Sequence, residues 1–436
     1  MIAFIVLSIT NKTPMTVISE IPSQSSERLS PTNDHLPEVD DRIVEVPNDL
    51  LQENTINSSD NLNAFLRQCQ GKIVLFPSNA KFIFDGPIII NKLTDITIDF
   101  NNTTITYPDG YTGWDSLTIA NSDVFIGNSL ISVSDSDQID IRRLILDGKK
   151  DAIDLLDLCV AIWIQDSSDV RMFDCEIKEI NYHGIVIYDD TPGLLFDNLV
   201  LTNNFGSQNS SDVYISNSES SSADFIDITA SRLKLEGNQV FYINGYNTTI
   251  TGFKAYNCGT GLDYRKGTHT ASDIYMENCN AVLYIQTTTL EEIADVTINN
   301  IQGINISPGT NTNTGLGIWS AGRVRLTDVV LEYSDDSDTA LWGMIIRRFN
   351  DDYSIKDVVI TNLTISGTTG SVIYYKNLDE SVKINGLKIL DYKNKLFRVE
   401  ETTASQIVES LQLPENYFLI LEDEIVDPDS KIEYSF

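Results

Sequence analysis

Nine five-residue strings recur along the middle of the chain: AIWIQ at 161, GIVIY at 184, DVYIS at 212, VFYIN at 240, GLDYR at 261, VLYIQ at 282, GLGIW at 315, GMIIR at 343 and VIYYK at 372. Their spacing runs from 21 to 33 residues. Between them lies a second set: QIDIRRLIL, DVRMFDCEI, GLLFDNLVL, FIDITASRLKL, TTITGFKAY, SDIYMENC, DVTINNIQGINI, RVRLTDVVL and DVVITNLTI. Self-similarity at a period of about 20–50 residues marks a solenoid. One such unit cannot bury its own apolar face, so successive units must stack and share an axial core. The L-x-x-L-x-L-x-x-N frame of a leucine-rich repeat is absent. The tight N-G or D-G hairpins that a sandwich needs are few. The expected fold is all-β: a right-handed, single-stranded parallel β-helix.

The flanks differ from the repeat. Residues 1–58 are rich in Ser, Pro, Asn and acids and lack the apolar periodicity of a core, so they are expected to form a polar arm. DNLNAFLRQC follows, with Leu62, Phe65, Leu66 and Cys69 on one helical face behind an Asx/Ser start signal. This is the expected N-terminal capping helix. The β-helix is expected over 59–395. Residues 396–436 combine a helical pattern, SQIVESL, with a strand-like YFLILED, and are expected to form a small C-terminal cap or oligomerisation element.

The run DNLNAFLRQCQGKIVLFPSNAKFIFDGPIIINKLTDITIDFNNTTI resembles the N-terminal end of the pectin-lyase-like β-helix superfamily. The phrases S-x-D-V-x-[IM]-x-[DN]-C and G-[IL]-x-[IV], seen in SSDVRMFDCEI and HGIVIYDD, carry the same resemblance over roughly residues 60–395. It implies the fold but no single activity, because that superfamily holds polysaccharide lyases, glycoside hydrolases, virus tailspikes and adhesins. The N-T-D, D-D, G-H-G and R-I-K set of polygalacturonases is not reproduced, and YHGIVIYDD keeps fragments of it within one strand only. That catalytic set is therefore not carried over. The polar arm and the lack of an enzyme signature favour the tailspike branch. MIAFIVLSI adds to this, since it has neither a basic n-region nor a small-residue cleavage site. What the resemblance then implies is a homotrimer on a virion tail or outside a cell, joined to the particle through the arm, with cell-surface polysaccharide as partner. A secreted lyase or hydrolase and a non-catalytic adhesin are the alternatives.

Charge narrows the partners. Sixty-three acids against 30 bases give a net charge of -33, which disfavours nucleic acid and anionic membranes. No run reaches the ~18 apolar residues of a membrane span. The five cysteines form no C-x-x-C pair and are expected as buried thiols. No phosphate loop or zinc spacing occurs, and the acidic strings YSDDSD and FNDDYS lack the EF-hand frame, so no cofactor or metal is expected. Ca2+ held among the acids would enter only alongside eliminative chemistry.

Strand alternation assigns faces. Positions two and four of the strings are almost uniformly apolar and face the core; positions one, three and five are expected to face outward. Coils stack ~4.8 Å apart, so Trp163, Tyr188, Tyr214, Tyr242, Tyr284 and Trp319 should line one exposed ribbon, with the pair Asp263 and Arg265 near its middle. Aromatic rings beside amides suit sugar rings as substrate, and they equally suit a subunit interface. Cleavage of a glycosidic bond by hydrolysis needs two carboxyls. The candidates are Asp263, Asp212, Asp189 (beside Asp190) and Glu236, while Arg265 or Lys266 would serve an eliminating lyase. The plain alternatives are a surface ion pair for Asp263–Arg265, a structural role for His183 and a turn for Asp147.

Overall fold

The computed structural model describes residues 40–51, 58–109, 128–149, 159–204, 210–216, 222–245, 247–286, 294–308, 314–319, 321–334, 342–347, 355–367, 371–376, 382–390, 395–400, 411–412 and 432–434. Apart from Ile432–Tyr434, which pairs antiparallel with Lys395–Glu400, their strands form three parallel ladders wound around one core. Sheet A stacks Ile88–Asn91, Asn128–Ser134, Cys159–Gln165, His183–Tyr188, Val213–Ser216, residues 241–244, residues 260–264, Ala281–Gln286, Thr314–Trp319, Trp342–Arg347, Ser371–Lys376 and Lys395–Glu400. Sheet B runs from Ile43–Glu45 on Ile73–Leu75, through Thr94–Asp99 and Asp137–Arg142, to Leu411–Gln412. Sheet C runs from Lys81–Ile83 to residues 387–390. The architecture is the expected parallel β-helix.

The strings of the sequence are the strands of sheet A. All eighteen residues at their positions two and four are no more than 1% exposed and belong to the axial core. Each buried Ile, Val, Leu or Phe contributes about 1.5–3 kcal/mol, and a neighbour on the next coil always completes the burial. The second set of strings bends from sheet B into sheet C through one left-handed residue per coil. Arg143, Asp174, Asn198, Asp227, Gly252, Asp273, Asn300, Asp328, Asn362 and Gly386 hold this corner with φ between 50° and 73°. Asn and Asp tolerate that conformation better than other residues with a Cβ. They also bond along the stack: the amides of Asn198, Asn300 and Asn362 donate to Asp174, Asp273 and Asp328 at 2.7–2.8 Å.

The capping helix is Ser58–Leu66. Leu62, Leu66 and Cys69 are buried against the first coil. The Asp85 carboxylate accepts hydrogen bonds from the Ser59 backbone N–H and from both serine hydroxyls, each at 2.9 Å, which satisfies orphan donors of the first helical turn. Asn63 donates to the Pro87 carbonyl and accepts from the Ile89 N–H. Its amide thus takes the place of a preceding rung on the first strand of sheet A.

Two features depart from the expectations. Ile43–Glu45, inside the segment expected as an arm, is already a rung of sheet B. Position one of the strings faces inward at a corner: Ala161, Val240, Val282 and Val372 all belong to the core. All five cysteines are buried and free. Residues 1–39, most of SQIVESL, all of YFLILED and the FNDDYS string lie outside the described residues, as does YSDDSD beyond Ser334. Among the described residues no helix is long and apolar enough to cross a membrane.

Candidate functional site

Position three of each string forms one outward column on sheet A: Trp163, Val186, Tyr214, Tyr242, Asp263, Tyr284, Gly317, Ile345 and Tyr374. Its N-terminal half carries a continuous stack of rings. Tyr182 lies 3.9 Å from His183, His183 4.9 Å from Tyr214, and Tyr214 5.1 Å from Tyr242 with the two phenol rings parallel to within 2°. Tyr182, Tyr214 and Tyr242 are half-buried, so one face of this stack meets water. The Arg265 guanidinium closes it, 5.2 Å above the Tyr242 ring.

Asp263 explains why charge interrupts the column. Its side chain is fully buried, and it accepts from Arg265 at 2.7 Å, Gln239 at 3.0 Å and Gln286 at 3.1 Å. A buried carboxylate is tolerated only when so surrounded. The expectation of a surface ion pair is therefore corrected. Asp263 lies under its partners, out of reach of a ligand, and acts on the face by holding Arg265 over Tyr242.

Asp212 is also corrected. Because position one turns inward, Asp212 is 2% exposed and pairs at 2.7 Å with Arg232, itself 5% exposed. Arg232 also donates to the Asn204 carbonyl. This is a buried structural ion pair, not an outward acid. Glu236 sits in a strand opposite Cys258, and its side chain lies outside the described residues. Lys266 bonds through its carbonyl to His269. His183 is 5% exposed, and its Nδ1 receives the Ser211 N–H at 3.0 Å. Burial drives its pKa down to about 4 despite the Ser211 contact, so the ring is neutral and structural. Asp147 accepts the Lys149 N–H at 3.1 Å, as a turn residue does.

Trp163, Tyr188 and Asp189 gather at the N-terminal end of the face. The two rings stand 5.9 Å apart and both are half-exposed. Trp163 Nε1 donates to Gln165 at 3.1 Å, and Gln165 Nε2 lies 3.1 Å from an oxygen of Asp166 and 3.1 Å from one of Asp189. Asp166 and Asp189 are left-handed corner residues on neighbouring coils. Burial raises the Asp189 pKa, and the charges of Asp166 and Asp190 raise it further, against the Gln165 hydrogen bond. Sequence reasoning named Asp189 and placed Gln165 outward among the amides of the ribbon, but missed Asp166. The available signal was their shared place directly after a string, where stacked coils bring such residues together.

The C-terminal half of the column is different. Tyr284 (4%) and Trp319 (6%), expected as exposed rings, are buried with Ile345 and Tyr374 in a second apolar cluster outside the coil. Gly317 supplies the reason. A Cβ there would meet the Trp319 indole at 2.3 Å, so glycine is what lets the ring fold back across the sheet to Tyr284, 4.8 Å away. Among the described residues no group of three or more acidic, His or Cys side chains is placed to hold a metal ion.

No protein-family model and no curated protein sequence matches the chain. Among solved structures it is similar to an endo-xylogalacturonan hydrolase from Aspergillus tubingensis, at 13% identity and a TM-score of 0.49 over 83% of this chain and 96% of that one. It is also similar to gene product 12 of bacteriophage phi29 in its pre-mature form, at 14% identity and 0.46, over 80% of this chain and 56% of that one. A third is PfbA, a surface adhesin of Streptococcus pneumoniae, at 11% identity and 0.45, over 80% of this chain and 90% of that one. The fold is a parallel β-helix. Within this β-helix the activity has to be argued from sheet A itself, since likenesses this distant decide none.

Proposed function

We propose that the protein binds a host-cell surface polysaccharide along the N-terminal half of the outward face of sheet A and cleaves it by hydrolysis, in the manner of a virus tailspike. The observation that carries the reading is the run of half-exposed rings from Trp163 and Tyr188 to Tyr242, ending under the Arg265 guanidinium. Such rings offer apolar area to the C–H faces of pyranoses at little entropic cost, while Gln165 and Arg265 offer hydrogen bonds to their hydroxyls.

Hydrolysis is favoured over elimination by the two carboxyls at the end of this run. One Gln165 nitrogen lies 3.1 Å from an oxygen of each, which holds those oxygens within twice that distance of one another. This falls short of the roughly 6.5–9.5 Å of inverting enzymes and accommodates the ~5–5.5 Å of retaining ones. In this reading Asp189, whose raised pKa favours its protonated form, gives its proton to the leaving oxygen. Asp166 attacks the anomeric carbon as the bond to the leaving oxygen breaks. Water then displaces Asp166 from that carbon, giving its proton back to Asp189 and releasing the sugar with retention. Asp263 is the positioning residue for Arg265.

The functional form is then a homotrimer in the virion tail or outside the cell, attached through the residues that precede the Ile43–Glu45 rung. Its support is the resemblance carried by residues 60–395, and sedimentation equilibrium giving a monomer mass would remove that part. The activity is tested by incubating the protein with a panel of bacterial surface polysaccharides. The expected result is new reducing ends without ultraviolet-absorbing unsaturated sugars, abolished in Asp189→Asn while binding persists. Unsaturated products would replace hydrolysis by elimination. Failure to bind or cleave any host-derived polysaccharide would remove the reading altogether.

A further inference from the structure

A second cleft, of about 240 Å3, opens on the outward side of sheet B, and none of the candidate site residues named above lines it. Its walls are built by three coils: Thr268 and Thr270, then Asp295 and Thr297, then Arg323 and Arg325. Thr270, Thr297 and Arg325 are stacked partners in the ladder, and Thr249 continues the hydroxyl row onto the coil before. Thr270 donates to Thr249 at 3.4 Å.

The floor is rigid. His269 and Val296 are each 1% exposed. Both ring nitrogens of His269 are engaged, by Thr248 at 2.9 Å and the Lys266 carbonyl at 2.7 Å, and the ring stacks 4.3 Å from Tyr264.

The charges are pre-set. Asp295 receives the Arg323 backbone N–H at 2.7 Å and its guanidinium at 2.8 Å. Burial opposes ionisation of Asp295, but these bonds and the Lys356 charge outweigh it and hold its pKa below the ordinary value. Arg325 is fixed by the carbonyl and carboxylate of Asp357. Arg323 bonds Asp295 through Nε and Nη2, and its side chain is 70% exposed. Two cations, Arg323 and Arg325, thus line the cleft with one carboxylate, Asp295, in a chain whose net charge is -33.

We propose that this cleft is a second carbohydrate site, which takes a single sugar ring bearing a carboxylate. The guanidinium N–H groups that Asp295 and Asp357 leave unused are donors for a ligand carboxylate, and the threonine row both donates to and accepts from ring hydroxyls. The volume is under the ~300–1,000 Å3 of drug-sized sites, so it admits one ring and not a chain. The site shares no residue with the face on sheet A and stands whether or not that reading does.

Saturation-transfer NMR on the full chain tests this with glucuronate, glucose and acetate as separate probes. Glucuronate ring protons should receive saturation, glucose and acetate much less. The glucuronate signal should fall about tenfold, the scale of a lost charged hydrogen bond, in Arg323→Gln/Arg325→Gln, fall in Thr297→Val, and persist in Tyr242→Ala. Equal signals from glucose, full competition by acetate (an anion site only), loss in Tyr242→Ala, or no glucuronate signal would each overturn the proposal. The substituted side chains lie on the outward face, and an unchanged melting temperature confirms that each variant is folded.

Discussion

The two halves of the sheet A face share one sequence pattern and meet opposite fates. In the N-terminal half, Tyr214 and Tyr242 stack with one side to water. In the C-terminal half, Tyr284, Trp319, Ile345 and Tyr374 close over one another. Strand alternation decides only that a side chain leaves the core. Whether it then meets solvent depends on the next coils, and here on one missing side chain, at Gly317. The first half leaves its rings open to water; the second is a satellite core.

The largest effect should come from removing the satellite core. Trp319→Ala is expected to cost about 3–5 kcal/mol, measured by denaturant unfolding, with glycan affinity of the folded protein unchanged. A comparable affinity loss would mean that the buried half also touches ligand. Gly317→Ala forces a Cβ into the Trp319 ring and should cost about 1–3 kcal/mol. Its tryptophan emission should shift to the red as the indole is displaced; an unshifted spectrum would show that the glycine does not set the burial.

Acid should act on the first half through His183. Its folded pKa of about 4 lies below the ~6.5 of an unfolded histidine. The stability it contributes is therefore complete above pH 6.5 and lost as pH falls towards 4. The slope is about 1.4 kcal/mol per pH unit, and His183→Asn should remove that share from the pH dependence of unfolding. His269, also buried and held at about 4, supplies a matching slope that the variant leaves in place.

Much of the fold was legible because the repeat is written at positions two and four, where burial admits aliphatic and aromatic side chains and no charge. The left-handed corners from sheet B to sheet C also left a signal that the sequence reading did not use, since seven of the ten are Asp or Asn. The site was less so. The inward turn of position one had a signal, since Ala161, Gly184, Val240, Gly261, Val282 and Val372 are all small or apolar, yet Asp212 breaks that pattern and was taken as outward. Its burial depends on Arg232, 20 residues away. Gln239 and Gln286, 24 and 23 residues from Asp263, cover that carboxylate in the same way. Such partners follow from the coil register, which the unequal spacings between strings conceal.

The smallest effect on stability should come from Tyr242, the residue proposed to sit at the centre of the glycan face. Tyr242→Ala leaves the axial core intact and should cost under about 1 kcal/mol, as a change away from the packed core does. The decisive measurement is calorimetric titration of wild type and Tyr242→Ala with whichever surface polysaccharide the protein binds. An affinity loss of about tenfold or more, the scale of a central aromatic contact, with an unchanged melting temperature is the predicted result. Equal affinities for the two proteins would contradict the assignment of this face as the glycan site.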